Sequence, residues 1–193
     1  MDLTEGTFKE KNDRAKRMML WFGIISLIMS FAGFTSAVLV SRNREDWLSD
    51  IEMPNAFLIS CVLIIISSLT FIFAKRALKE NNRSLTTLLL IATFVLGVAF
   101  IISQFLGFGE IISSGYNFTG PTSNVTISFI YVIAFVHILH VIAGLISILV
   151  VIYNHFKQKY NATEMLGMNL SATFWHFIDI LWIFLFLFLK FLI

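Results

Sequence analysis

The chain has 193 residues, 58% of them apolar and only 13% charged, against roughly 45–50% and 25% in an ordinary soluble domain; so large an apolar excess cannot be buried in one small globule, and a membrane is the remaining solvent. Twenty-one Phe against two Pro exclude disordered and collagen-like chains. A formal charge of +2 offers no nucleic-acid surface, and the single cysteine, Cys61, can form neither an intramolecular disulfide nor a multi-cysteine zinc site.

Crossing a hydrocarbon core of about 30 Å takes about 20 apolar residues as a helix, and five runs reach that length, four without charge and the last with Asp179 and, near its end, Lys190. Residues 1–17 form a basic leading segment. Helices are then expected over about 18–40, 56–74, 85–108, 126–153 and 170–193, the second opening just after Pro54, where a helix start tolerates proline. The runs are apolar on all sides, which excludes barrel strands, whose lipid and lumen faces alternate. The first run is too long for a cleavable signal peptide and ends in Val40-Ser41-Arg42, so it is read as retained. With short loops and no repeat, residues 18–193 read as one all-α transmembrane domain, an antiparallel five-helix bundle.

Basic residues in short loops favour the cytoplasmic side. Lys9, Lys11, Arg14, Lys16 and Arg17 precede the first helix, Lys75, Arg76, Lys79 and Arg83 lie in the second loop, and Lys157 and Lys159 in the fourth. The other side has Arg42, Arg44 and Lys190. The N-terminus is therefore expected in the cytoplasm and the C-terminus outside. Lys75, Arg76, Lys79 and Arg83 are expected to meet anionic lipid headgroups. Asn117-Phe-Thr119 and Asn124-Val-Thr126 match a glycosylation triplet too common to carry weight.

Ionisable groups at mid-membrane demand partners. Asp179 lies nine residues into the last run, roughly 14 Å from its start, with His176 one turn earlier on the same face. His137 and His140 are likewise three apart in the fourth run, Gly144 follows four later, and Gln104 is in the second half of the third. A di-iron site needs more nitrogen ligands than four histidines supply, and His155 falls in the loop after the fourth run. Haem would need two histidines facing it from opposite sides. A proton relay needs a polar path to both surfaces, which only Ser171, Thr173 and Ser147 could extend. The preferred reading is an interhelix polar cluster of His137, His140, His176, Asp179 and Gln104, with Gly144 admitting close backbone approach and Trp175 and Trp182, seven apart, wedging against a partner. No nucleophile with an adjacent base and no phosphate loop is found, so the residues by themselves describe a structural or accessory membrane subunit.

Phe174-Trp-His-Phe-Ile-Asp-Ile-Leu-Trp-Ile-Phe184 resembles the signature in the last helix of subunit III of haem-copper terminal oxidases, and Phe135-Val-His-Ile-Leu-His-Val-Ile-Ala-Gly144 resembles its histidine-pair segment. Gln104, the loop Phe73–Arg83 and the segment Gly23–Gly33 are also similar, so the resemblance runs from about Arg17 onward. Long members have seven helices, and this chain matches from the third onward, so the family's lipid-filled cleft is not carried over. The family's membrane glutamate falls at Leu27 and a second acidic position at Asn169, so no proton-antenna role is carried over. The resemblance implies a non-catalytic subunit that binds no haem or copper itself, these being held by partner subunits, and that binds phospholipid. It implies packing mainly on subunit I, with subunit II and further subunits beside it, in a prokaryotic inner membrane, in a complex that reduces O2 and pumps protons. A stand-alone proton-coupled transporter using Asp179 and the histidines, and an accessory subunit of a nitric oxide reductase, are the alternatives.

Overall fold

The computed structural model describes residues 6–48, 53–117, 120, 124–161 and 164–192. Five helices account for most of them: α1 Phe8–Ser41, α2 Asn55–Lys79, α3 Arg83–Ser113, α4 Val125–Phe156 and α5 Leu166–Leu192. All five are long and apolar enough to cross a membrane. Phe118 and Thr119 of the first glycosylation triplet lie outside the described residues.

Each helix outruns its apolar stretch, because capping and not hydropathy ends a helix outside hydrocarbon. α1 begins at Phe8, well before the apolar run at Met18, on a capping box: the Thr7 N–H donates to Glu10 Oε2 at 2.8 Å, and the Glu10 N–H donates to Thr7 Oγ1 at 3.4 Å. α2 starts after Pro54 as expected. Three residues then reverse the chain, with Asn81 at φ 56° and Asn82 Oδ1 accepting from the Leu85 N–H of α3 at 3.2 Å. α4 runs on past Tyr153 to Phe156, so His155 is the last-turn residue of a helix and not a loop residue.

The most extensive packing joins α2 to α3, followed by α3 with α4, α4 with α5, and α2 with α5. Among the described residues α1 packs on α4 and α5 but on neither α2 nor α3. Its inward face is the seven-residue series Ile24, Phe31 and Val38, one residue per two turns, which gives a single narrow seam.

The connections are tied across the bundle. Leu48 N–H donates to Thr126 Oγ1 at 3.0 Å and Asn124 Nδ2 donates to the Asp46 carbonyl at 2.6 Å, while Arg44 grips the Asp46 carboxylate through Nε and Nη2 at 2.8 and 3.1 Å. That bidentate hydrogen bond holds the Asp46 carboxyl below the usual carboxylate range. Elsewhere Lys9 pairs with Glu164, Arg83 Nη2 donates to Asn161 Oδ1 at 3.3 Å, and Thr87 Oγ1 lies 3.0 Å from His155 Nε2. Asn124 does double duty, since its Oδ1 also accepts from the Thr126 N–H at 2.9 Å and so caps α4. Asn124→Ala should lose both contacts and about 1 kcal/mol of stability; an unchanged midpoint of thermal unfolding in detergent would show that neither contact matters.

Candidate functional site

The interior is organised around two tryptophans of α5. Trp175 and Trp182 are 0% and 1% exposed, and each indole N–H meets a serine of α2: Trp175 Nε1 donates to Ser67 Oγ at 3.1 Å and Trp182 Nε1 to Ser60 Oγ at 3.0 Å. A seven-residue step on α5 thus meets a seven-residue step on α2, as two helices packed along one seam require. The serines keep their own donors occupied, Ser67 to the Thr93 carbonyl at 3.2 Å and Ser60 to the Phe57 carbonyl at 2.7 Å. Tryptophan is thereby buried without stranding its polar edge.

The Trp175 ring lies between two glycines. A Cβ on Gly97 of α3 would stand 2.7 Å from Trp175 Cη2, and one on Gly144 of α4 would stand 2.9 Å from its Cε3. α2, α3 and α4 therefore converge on one side chain of α5. One layer further along α5, every helix adds a ring. His137 of α4 stacks on Trp182 at 4.9 Å between centroids, with Phe31 of α1 and Phe100 of α3 edge-on at 6.3 and 5.9 Å. Phe57 of α2 closes the layer against Trp182 at 6.0 Å.

The structure does not join the expected polar groups into one hydrogen-bonded cluster. His137 is fully buried in the aromatic layer, and among the described residues neither ring nitrogen has a hydrogen-bond partner. His140 bonds its own helix, Nδ1 lying 2.7 Å from the Val136 carbonyl. His176 and Asp179 turn instead to α2: Ser68 Oγ lies 2.6 Å from His176 Nδ1, and Asp179, 2% exposed, faces the same serine, yet among the described residues neither of its oxygens reaches hydrogen-bonding geometry with a partner. Gln104 is buried, and both its amide atoms are without a hydrogen-bond partner among the described residues. Trp175, Asp179 and Trp182 share one arc of α5: the two indoles reach α3 and α4 as well as the α2 serines, while His176 and Asp179 meet α2 at Ser68.

Of the basic group, Lys75, Arg76 and Lys79 line a concavity of about 190 Å³ with Ile72, and the Arg76 guanidinium stands 5.7 Å from the Phe73 ring centroid. Arg83 points elsewhere, to Asn161. Ser60, Ser67 and Gly97 do not stand out in the sequence, and His155, which apolar length places in a loop, is buried in the last turn of α4. The matched spacing of the two serines and the two tryptophans is the signal that could have found the first pair.

Five helices long and apolar enough to cross a membrane, packed through tryptophan, serine, glycine and histidine side chains, define a multi-pass helical membrane protein. Among the described residues no group of three or more His, Cys, Asp or Glu is placed to hold a metal ion. Residues 3–192 match the family model described as cytochrome c oxidase subunit III. Cytochrome bo(3) ubiquinol oxidase subunit 3 of Buchnera aphidicola subsp. Baizongia pistaciae is 34% identical over 144 residues, 72% of this chain and 70% of that one. Its namesake in Buchnera aphidicola subsp. Acyrthosiphon pisum is 27% identical over 97% of this chain and 92% of its own. Cytochrome c oxidase subunit 3 of Spodoptera frugiperda is 31% identical over 67% of this chain and 84% of its own. The chain belongs to the cytochrome c oxidase subunit III family.

Proposed function

We propose that this chain is the accessory third subunit of a proton-pumping haem-copper terminal oxidase in a prokaryotic inner membrane, docked mainly on subunit I, with subunit II and further subunits beside it. The observation that carries this reading is the family match over nearly the whole chain. The packing agrees with it, since the two motifs that carry the resemblance interlock on neighbouring helices, Trp175 against Gly144 and Trp182 against His137. Haem and copper belong to the partner subunits, and this chain contributes helix packing and lipid contact. The separation of His137 from the His176 and Asp179 pair speaks against a transporter's relay.

An antiparallel bundle is supported by the pairing register. Between α2 and α5, Ser67 meets Trp175 and Ser60 meets Trp182, so numbers fall along one helix as they rise along the other. Between α4 and α5, Gly144 meets Trp175 and His137 meets Trp182 in the same sense. Together with the excess of basic residues before α1 and after α2 and α4, this supports a cytoplasmic N-terminus and an external C-terminus. Lys75, Arg76, Lys79 and Arg83 then lie at the cytoplasmic headgroup level, where anionic phospholipid is their contact.

Tagged chain extracted in mild detergent from its own membranes should bring down a large subunit with a haem difference spectrum. Recovery of a lone chain from membranes whose oxidase stays intact would reject the reading. Asp179→Asn separates it from transport: weakened assembly is expected here, whereas a transporter would assemble normally and lose flux.

A further inference from the structure

His140 stands at the middle of α4, about as far from Val125 as from Phe156, so roughly 22 Å of helix separates it from either end. Its Nδ1 lies 2.7 Å from the Val136 carbonyl oxygen. A carbonyl oxygen only accepts, so Nδ1 carries the proton and donates, and Nε2 of the neutral ring keeps an open lone pair. Nε2 has no hydrogen-bond partner among the described residues, and the ring is partly exposed where α4 meets α1, edge-on to Phe31 with centroids 5.7 Å apart. His137, one turn earlier, is wholly enclosed; His140 opens to the flank.

An acceptor on the flank at this depth meets no water, acyl chains carry no donor, and headgroups are too far away. Polar groups in hydrocarbon are placed against protein or a cavity. The α4 face beside the ring has small side chains, with Ala143 exposed and Ser147 partly so, three and seven residues on. Small residues let a second helix approach closely enough for a hydrogen bond.

The geometry points to His140 Nε2 as the acceptor for a transmembrane helix of a partner subunit that brings a hydroxyl, amide or indole N–H donor to mid-span on the flank where α4 meets α1. This rests on the accessory-subunit reading and places a point of contact on it. Such a bond is neutral, directional and shielded from competing water, so it fixes the depth and rotation of the partner helix more than it adds affinity.

The test uses the complex purified from native membranes. With Ala143→p-benzoylphenylalanine in an otherwise unchanged chain, light should link this chain to a second polypeptide of the complex. His140→Phe should weaken retention about threefold, and at most about fifteenfold, the range of interhelical hydrogen bonds in membranes, while His140→Gln, which keeps an acceptor, should restore most of it. Links to lipid or to a quinol alone would overturn the inference, as would equal retention of the Phe and Gln variants. A complex that keeps this chain without any link at Ala143 rejects the flank contact and leaves the accessory reading standing; a chain that purifies alone rejects both.

Discussion

Trp175→Ala is expected to destabilise the bundle by about 3–5 kcal/mol, in line with deletion of a large buried ring. Lipid tails are as apolar as the protein interior, so the loss comes less from transfer out of water than from the void and from contacts given up on three helices. Gly97 and Gly144 would face a cavity, and Ser67 would lose the indole donor at 3.1 Å. The accessibility of Cys61 supplies the readout, because the lone thiol is partly buried in α2 and a thiol-reactive dye reports the temperature at which the bundle opens. Trp175→Phe should fall between the wild type and the alanine variant. A transition at the wild-type temperature for Trp175→Ala would mean that α5 is held by other contacts.

The opposite change, adding a single carbon, should also be costly where a ring already fills the space. In Gly107→Ala the new Cβ would stand 2.4 Å from Phe57 Cε1 and 2.7 Å from Cδ1. Phe57 cannot swing aside freely, since Phe108 and Trp182 meet it edge-on at 6.1 and 6.0 Å. Overpacking of this kind costs about 1–3 kcal/mol, and α2 should separate from α3 at a lower temperature in the same thiol assay. Gly109→Ala, two residues away with nothing within 4 Å of its Cβ, is the control and should melt as the wild type does. Equal behaviour of the two variants would refute the close approach of α2 and α3 at Gly107.

Some of this was legible early. Thr7 and Glu10 spell a capping box three residues apart, and that signal could have placed the start of α1 at Phe8. Apolar length marks only the portion of a helix that lies in hydrocarbon, so it ends the fourth helix at Tyr153 and leaves His155 outside, whereas α4 continues to Phe156. Gly144 was identified as a packing position because two histidines precede it by whole turns. Gly97 and Gly107 have no such neighbours, and a glycine in an apolar run does not announce which face it is on.

The sequence by itself determined that five segments are long and apolar enough to cross a membrane, since the length of an apolar run measured against the thickness of hydrocarbon is a property of one segment alone. It also supplied the residues that had to find partners: Trp175, Trp182, His137, His140, His176 and Asp179. Only the tertiary structure decided which partners they found, because that depends on how each helix is rotated about its axis, and the rotation is set by the side chains of its neighbours. The bulk of two indoles, admitted by Gly97 and Gly144 and tethered by Ser67 and Ser60, turned Asp179 and His176 toward α2 and left His137 among rings.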